Sequence, residues 1–502
     1  MERDKSELEA LVKYYEEQLR LAKHRQFGVS SEKTECPEQL DLFDEAENTA
    51  DPDLPEPKLE EITYKRRKRA GKREDDLSGL PVETVEHSLP QEERVCPECG
   101  GAMHVMGHDC RRELKVIPAK VVVVEHKQDV YSCRDCEKNN DHVPIVKSPM
   151  PEPVIKGSLA SASAVAHIMT QKYVMYSPLY RQEQAWEREG VVLSRQTMAN
   201  WVIKCAFDWL ALIYIRMVAC LLAHDILHAD ETTVQVLKEP GRKPQTKSYM
   251  WLYRTSGETK TPIVLYEYQQ TRHHEHPKAF LKKFKGYLLT DGLHQYHLLD
   301  VTNVGCWAHV RRKFDDALKV MEENQRPGSR AQKGQDFCSQ LFALERSYTN
   351  LTPDERYERR FRESKPLADA FFAWVSDAKG KVLPQSTLGK ALTYACEQSP
   401  YLMNVYLDGR LEISNNRAER SIKPFVMGRK NWLFCNTPNG ATASSIVYSI
   451  IETAKENGLK PFEYLEFLFE SLPNTTTGQI DSLLPWGKAV PDCCRMTLKQ
   501  SY

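Results

Sequence analysis

The stretch ILHADETTVQV, Ile226 to Val236, has the Ile, Val and Thr content of a β-strand, yet Asp230 and Glu231 stand in its middle. A carboxylate in such a setting is unfavourable unless a proton, a cation or a hydrogen-bond network neutralises it. A second acid, Asp291, ends the apolar run of LLTDG and precedes a glycine turn, so it too belongs at a strand end. A third, Glu419, lies one turn inside a helix expected in LEISNNRAERSIKPFVMGRKNW, with Ser414 or Asn415 as its cap. Taken singly, each acid reads as a solvated or ion-paired side chain. As an ordered set, two strand ends and one helix can bring them together only around shared cations. Two divalent ions there would activate a hydroxyl and stabilise the leaving oxygen of a phosphodiester. Magnesium (or manganese) suits oxygen ligands that leave room for water and substrate phosphates. Arg417, Arg420, Lys423, Arg429 and Lys430 surround the third acid and are expected to hold a DNA backbone.

A different chemistry is written in the cysteines. CPEC at Cys96–Cys99 and CRDC at Cys133–Cys136 form two CxxC pairs, and two residues between thiolates let one turn present both sulfurs to a tetrahedral ion. The segment between them, ELKVIPAKVVVVEHKQDVYS, reads as strand-rich, as a zinc ribbon requires. Cys110, His104 and His108 are the lesser alternatives for one ligand. Four thiolates leave no open position, so this zinc would be structural.

The elements that must position these groups follow from the rest of the chain. Its 502 residues exceed one ordinary core and predict two to four domains. The formal net charge of −1 gives no global pull toward polyanions, which leaves local patches to do any such binding. The first residues are charged, without an apolar stretch of signal-peptide type, and the fourteen cysteines are irregularly spaced, so a reducing cytoplasm is expected. The longest apolar run, Trp209–Ala223, is interrupted by Arg216 and reads as a buried helix; no membrane partner is expected.

Residues 1–34 carry a helical stripe in which Leu8, Tyr15 and Ala22 recur every seven positions, a possible coiled coil. Residues 35–85 read as a disordered linker, acidic and then basic, with KRRKRAGKR at Lys65–Arg73 as its cationic block. The zinc ribbon occupies 86–145. Residues 150–222 are helical, and a Gly turn followed by Ser194 as an N-cap gives a helix-turn-helix outline with Arg195, Gln196 and Asn200 as candidate DNA contacts. From 223 to 315 short β-type runs predict an antiparallel meander extended by parallel strands. Residues 316–408 read as helical, 409–460 hold the third acid, and 461–502 end the chain in a helix and tail.

Several ordered motifs together resemble transposases of the insertion-sequence 66 family: RQFGVSSEK, QLDLFDEAE, CPECGGAM with CRDC, YSPLYRQEQAWEREGVVLSRQTMANWV, HADET, TDG, GCWAHVRRKF, NNRAERSIKPFVMGRKNWLF and IETAKENGLKPFEYL. The resemblance implies an α/β fold with an RNase H-like mixed-sheet core of the DDE type, interrupted by a helical insertion. It implies Asp230, Asp291 and Glu419 as the metal-binding triad. It also implies hydrolysis at the ends of a mobile element, followed by attack of the freed 3′ hydroxyl on target DNA. Homo-oligomers on double-stranded DNA, with accessory proteins of the same element, are the partners it suggests. CWAH, with Cys306 and His309, matches a CxxH element with an expected structural or DNA-orienting role. Glu231 is the alternative first acid, expected on the opposite strand face from Asp230; Glu412 is the alternative third. A non-catalytic zinc-ribbon regulator and an RNase H-like nuclease without strand joining are the rival readings.

Overall fold

Residues 121–132 and 145–496 are described by a computed structural model of the chain. The N-terminal heptad segment, the acidic and basic linker and the expected zinc ligands Cys96, Cys99, Cys133 and Cys136 lie outside the described residues. Strand β1 (Val130–Ser132) pairs antiparallel with β2 (Ile145–Lys147). Among the described residues Val121–Asp129 forms no strand, and Val121 to Val124 are exposed. A β-rich composition makes a strand only where a neighbour accepts its hydrogen bonds.

Helices α1 (Ala162–Tyr173), α2 (Leu179–Arg188), α3 (Arg195–Cys205) and α4 (Ala211–Leu222) follow, the last two joined through a π-helical turn at Ala206–Leu210. Ser194 caps α3 as expected, its hydroxyl accepting the Thr197 N–H at 3.1 Å. By length and composition, Arg195–Leu222 would suffice to cross a membrane. However, Arg216 forms a two-pronged bond with Asp481 at 2.5 and 2.6 Å, and Ile213, Met217 and Leu221 are buried in the core. Burial of the run is partial, for Leu212 and Ile215 remain exposed.

The central sheet is built from β3 (Ile226–Gln235), β4 (Lys247–Thr255), β5 (Val264–Gln269), β6 (Tyr287–Thr290) and β7 (Thr302–Gly305). Short helices α5 (Glu275–Phe280) and α6 (His294–His297) lie in the connections. In space the order is β5-β4-β3-β6-β7, antiparallel through β5, β4 and β3 and parallel through β3, β6 and β7. The meander arises because β3 to β5 are joined by short turns, whereas parallel strands need longer crossovers.

Helices α7 (Trp307–Lys319), α8 (Arg330–Ser347), α9 (Pro353–Arg359), α10 (Lys365–Lys379) and α11 (Thr387–Leu402) follow β7. Helices α12 (Asn416–Trp432), α13 (Pro438–Glu456) and α14 (Pro461–Ser471) complete the fold. One apolar core joins the meander to α1, α3, α4 and α12–α14. A second seats Trp307 and Phe314 of α7 and Phe371 of α10 on Ile226, Leu289 and Val304 of the parallel strands. Helix α13 also closes the exposed edge of β5. Ser449 accepts the Tyr266 N–H at 2.8 Å and Thr453 accepts that of Val264 at 3.0 Å, which removes a site for strand addition.

Candidate functional site

Asp230 and Asp291 meet because β3 and β6 are adjacent and parallel, with His228 opposite Leu289, so both chains deliver an acid at the same end of the sheet. Asp291 is held by its own turn: its carboxylate accepts the Leu293 N–H at 3.1 Å, and Tyr394 of α11 donates to its carbonyl at 2.8 Å. The next residue, Gly292, has φ +87°, and a Cβ there would lie 2.7 Å from Gln398 and 3.0 Å from the Tyr394 hydroxyl. Only glycine accepts both that backbone and that proximity.

Glu231 departs from expectation. Strict alternation places it on the opposite face, yet Asp230, Glu231 and Asp291 each offer a carboxylate oxygen within 4.8 Å of the others. The Asp230 carboxylate reaches forward along the chain to accept the N–H of the next residue, Glu231, at 2.8 Å, so its oxygens do not stand perpendicular to the sheet. Glu231 is only 1% exposed, ion-paired with Arg272 and bonded by the Tyr296 hydroxyl at 2.7 Å. Burial, followed by the charge of Asp291, pushes its pKa up to about 7 despite Arg272. Asp230 is raised well above the ordinary carboxylate range by burial, then by Glu231 and Asp291, with a contribution from Glu419. Such a cluster is short of positive charge, the condition a divalent cation relieves.

Glu419 reaches this neighbourhood from the first turn of α12. Its position depends on Asn415, which is fully buried. Asn415 was a candidate helix cap, but its side chain makes no capping bond. Instead its amide nitrogen donates to the Ala229 carbonyl at 2.8 Å and its oxygen faces His228 Nδ1 at 3.0 Å. Burial lowers His228 to about 4, so it is neutral and donates through Nδ1. The Asn415 N–H in turn points at the Cys306 sulfur at 3.2 Å. This contact joins the start of α7 to the start of α12.

The structure divides the expected triad between two close clusters. Glu419 groups with Cys306 and His309, again with ligand atoms within 4.8 Å, while its charge still registers at Asp230. One Glu419 oxygen is buried without a hydrogen bond, as is His309 Nδ1, 3.7 Å from it. A thiol, an imidazole and a carboxylate are ligands a zinc ion would accept. Arg312, however, lies 3.3 Å from both His309 Nε2 and the other Glu419 oxygen, which places a positive charge there already. Arg312 thus bonds to Glu419 directly, while His309 stands beside the other Glu419 oxygen without a hydrogen bond to it.

The remaining candidates have the following settings. Glu412 accepts from Arg417 at 2.7 Å and from the Gly257 N–H at 3.0 Å; burial would raise it, but His228 and Arg417 hold it below the usual value. It is engaged in the scaffold. Arg429 is likewise turned inward, bonded to Thr232 and Thr233 of β3. Arg420 and Lys430 are exposed and Lys423 half-buried on α12. Arg195, Gln196 and Asn200 are exposed at the start of α3, with Arg195 stacked over the Tyr180 ring at 5.5 Å. Tyr394, Arg272 and Tyr296 carry no local signal in the sequence, whereas Asn415 has one, its place directly before the helix, but takes a different partner.

Residues 157–443 match the profile described as "Transposase IS66 family", and residues 449–486 the "IS66 C-terminal element". Residues 93–137, which include all four CxxC cysteines, match a "zinc-finger binding domain of transposase IS66". Residues 14–85 match "Transposase C of IS166 homeodomain". Among curated proteins, the chain is 28% identical over 414 residues to the uncharacterized protein y4jD of Sinorhizobium fredii, covering 79% of each chain. It is 29% identical over 422 residues to the uncharacterized protein y4qI of the same organism, covering 81% of this chain and 76% of the relative.

Proposed function

Since the chain belongs to the transposase family of insertion sequence 66, we propose that it cuts DNA at the ends of its element and joins the freed 3′ hydroxyl to target DNA. The observation that carries this reading is the meeting of Asp230 and Asp291 at the ends of adjacent parallel strands, with Glu419 delivered beside them by α12. Numbered from β3, the sheet order is 3-2-1-4-5 with strand 2 antiparallel, which supports an RNase H-like core. The raised Asp230 and the unpartnered Glu419 oxygen fit a divalent cation held by Asp230, Asp291 and Glu419, with Glu231 alongside. Magnesium, or manganese, bound there would supply Lewis-acid activation of the phosphodiester and neutralise charge developing on it.

The chain's own residues do the rest. The adjoining strands keep Asp230 and Asp291 in fixed register, and Asn415 ties the helix bearing Glu419 to the strand bearing Asp230. Arg312 orients Glu419, and Arg420, Lys423 and Lys430 hold phosphates along α12. Exposed Arg195, Gln196 and Asn200 offer a second contact with the duplex. The zinc-finger segment, with zinc on Cys96, Cys99, Cys133 and Cys136, would add a DNA-binding module; four thiolates leave that ion no open coordination position. Water attacks the phosphorus first and the 3′ oxygen leaves as a hydroxyl; that 3′ hydroxyl then attacks a phosphorus of target DNA and displaces the target's own 3′ oxygen, so neither step needs a protein nucleophile.

The test is cleavage of DNA carrying the element's ends, in magnesium or manganese, by the wild type and by Asp230→Asn. Metal-dependent nicks lost in the variant support the reading; activity retained in Asp230→Asn refutes it. Supplying a pre-cut 3′-hydroxyl end separates a transposase, which joins it to target DNA, from a nuclease, which does not.

A further inference from the structure

At the far end of α12 the chain makes an unusual turn. Leu433 has φ +67° and ψ −52°, a conformation that side chains with a Cβ rarely adopt. The Phe434 N–H bonds to the Trp432 carbonyl at 2.9 Å, closing a γ-turn of the rare, strained hand. The turn is pinned on both sides. Leu433 N–H bonds back to the Arg429 carbonyl at 2.7 Å, and Cys435 and Asn436 pair with the outer end of β3 and the residues beyond it. What this pinned turn presents is apolar: Leu433 is 63% and Phe434 42% exposed.

Its surroundings are cationic. Cys435 and Asn436 bond to Leu237 and Lys238, the start of the β3–β4 hairpin, on which Lys238, Lys243 and Lys247 are exposed. The acid in that hairpin, Glu239, is buried and bridged to Arg242. Along α12, Glu419, Lys423, Val426, Lys430 and Leu433 follow at offsets of 4, 7, 11 and 14 residues, one stripe of the helix. A strand of DNA following that stripe from Glu419 meets lysine, lysine and then the apolar turn. At about 1.5 Å per residue the turn is about 21 Å from Glu419, or about six base steps of duplex.

The geometry points to Leu433 and Phe434 as a wedge that enters the base stack of bound duplex DNA about six base pairs from the reacting phosphate. This rests on the proposed action on DNA and adds a distortion to it. Apolar side chains that insert between base steps unstack them and kink the duplex, and sites that are already open bind more readily. A self-association surface would also be apolar, but its neighbours here are lysines, which repel a second copy and attract phosphate.

The test compares binding of the full chain to a 30-base-pair duplex and to the same duplex with one unpaired base at its centre, each with 2-aminopurine beside that position. The wild type should prefer the bulged duplex about tenfold and brighten the 2-aminopurine of the paired one. Leu433→Ala with Phe434→Ala should lose both effects while still binding the paired duplex. Leu433→Gly, which accommodates the positive φ, should melt no lower than the wild type and so report that the turn still folds. Equal affinity of the wild type for both duplexes with a dark probe overturns the wedge alone. Failure to bind either duplex overturns the DNA reading as well. A dimer that the double variant loses in the absence of DNA would reassign the patch to a second copy.

Discussion

The side-chain amide of Asn415 donates to the carbonyl of Ala229 at 2.8 Å, so the residue immediately before Asp230 is fastened to a residue four positions before Glu419. The same side chain accepts from His228. One buried amide thus fixes the first and third acids relative to each other across 186 residues of sequence.

Replacing Asn415 with Ala removes both bonds and strands a buried carbonyl and a buried imidazole. Each uncompensated group costs about 1–3 kcal/mol. Urea unfolding should therefore show a loss of about 2–4 kcal/mol, while DNA cleavage at a temperature where the variant is folded should fall at least tenfold. A fully active variant would show that Asn415 serves stability alone.

Gly292→Ala combines a positive φ with a Cβ that would meet Gln398 at 2.7 Å. Strain of this kind costs about 1–3 kcal/mol. The expected outcome is a lowered melting temperature together with weaker manganese binding by calorimetry, because Asp291 moves with its neighbour.

The acid cluster makes stability and metal binding depend on pH in a definite direction. Glu231 titrates near 7 in the folded chain and near 4.5 when unfolded, so between these values the folded state holds the extra proton. Stability from this group is present below about 4.5 and falls as pH rises toward 7, by up to about 3 kcal/mol. Raised Asp230 acts in the same sense. Metal-free protein should melt lower at pH 8 than at pH 5.5, and manganese should restore the difference at pH 8. Since metal binding must displace protons, affinity should rise across the same interval. A pH-independent affinity would contradict this account.

Removing structural zinc should leave the acid cluster intact. Metal analysis of the wild type should find one zinc per chain, and Cys133→Ser should lose it. Manganese affinity should be unchanged, whereas affinity for DNA should fall. Retained zinc in Cys133→Ser would redirect attention to Cys110, His104 and His108.

Much of this organisation was legible in the residues. Asp230 and Asp291 stand out because an acid ending an apolar strand is costly alone, and Ser194 because a hydroxyl before a helical run is a cap. The meander follows from turn spacing, and the helices between 316 and 408 from periodicity. Other contacts were hidden by distance: Tyr394 holds the Asp291 carbonyl from 103 residues away, and Arg272 meets Glu231 from 41 away. Neither carries a local pattern. Glu231 was hidden for another reason, since alternation describes where Cβ atoms point and says little about where bent carboxylates end. Asn415 had the right neighbourhood but a different partner, because a fully buried amide satisfies the strand before it caps a helix.

The most direct measurement is a crystal of the protein with end-containing DNA soaked in manganese, examined by anomalous scattering. The account predicts two peaks about 4 Å apart, touched by carboxylates of Asp230, Asp291 and Glu419. Peaks ligated without Glu419, or no peak between Asp230 and Asp291, would contradict it.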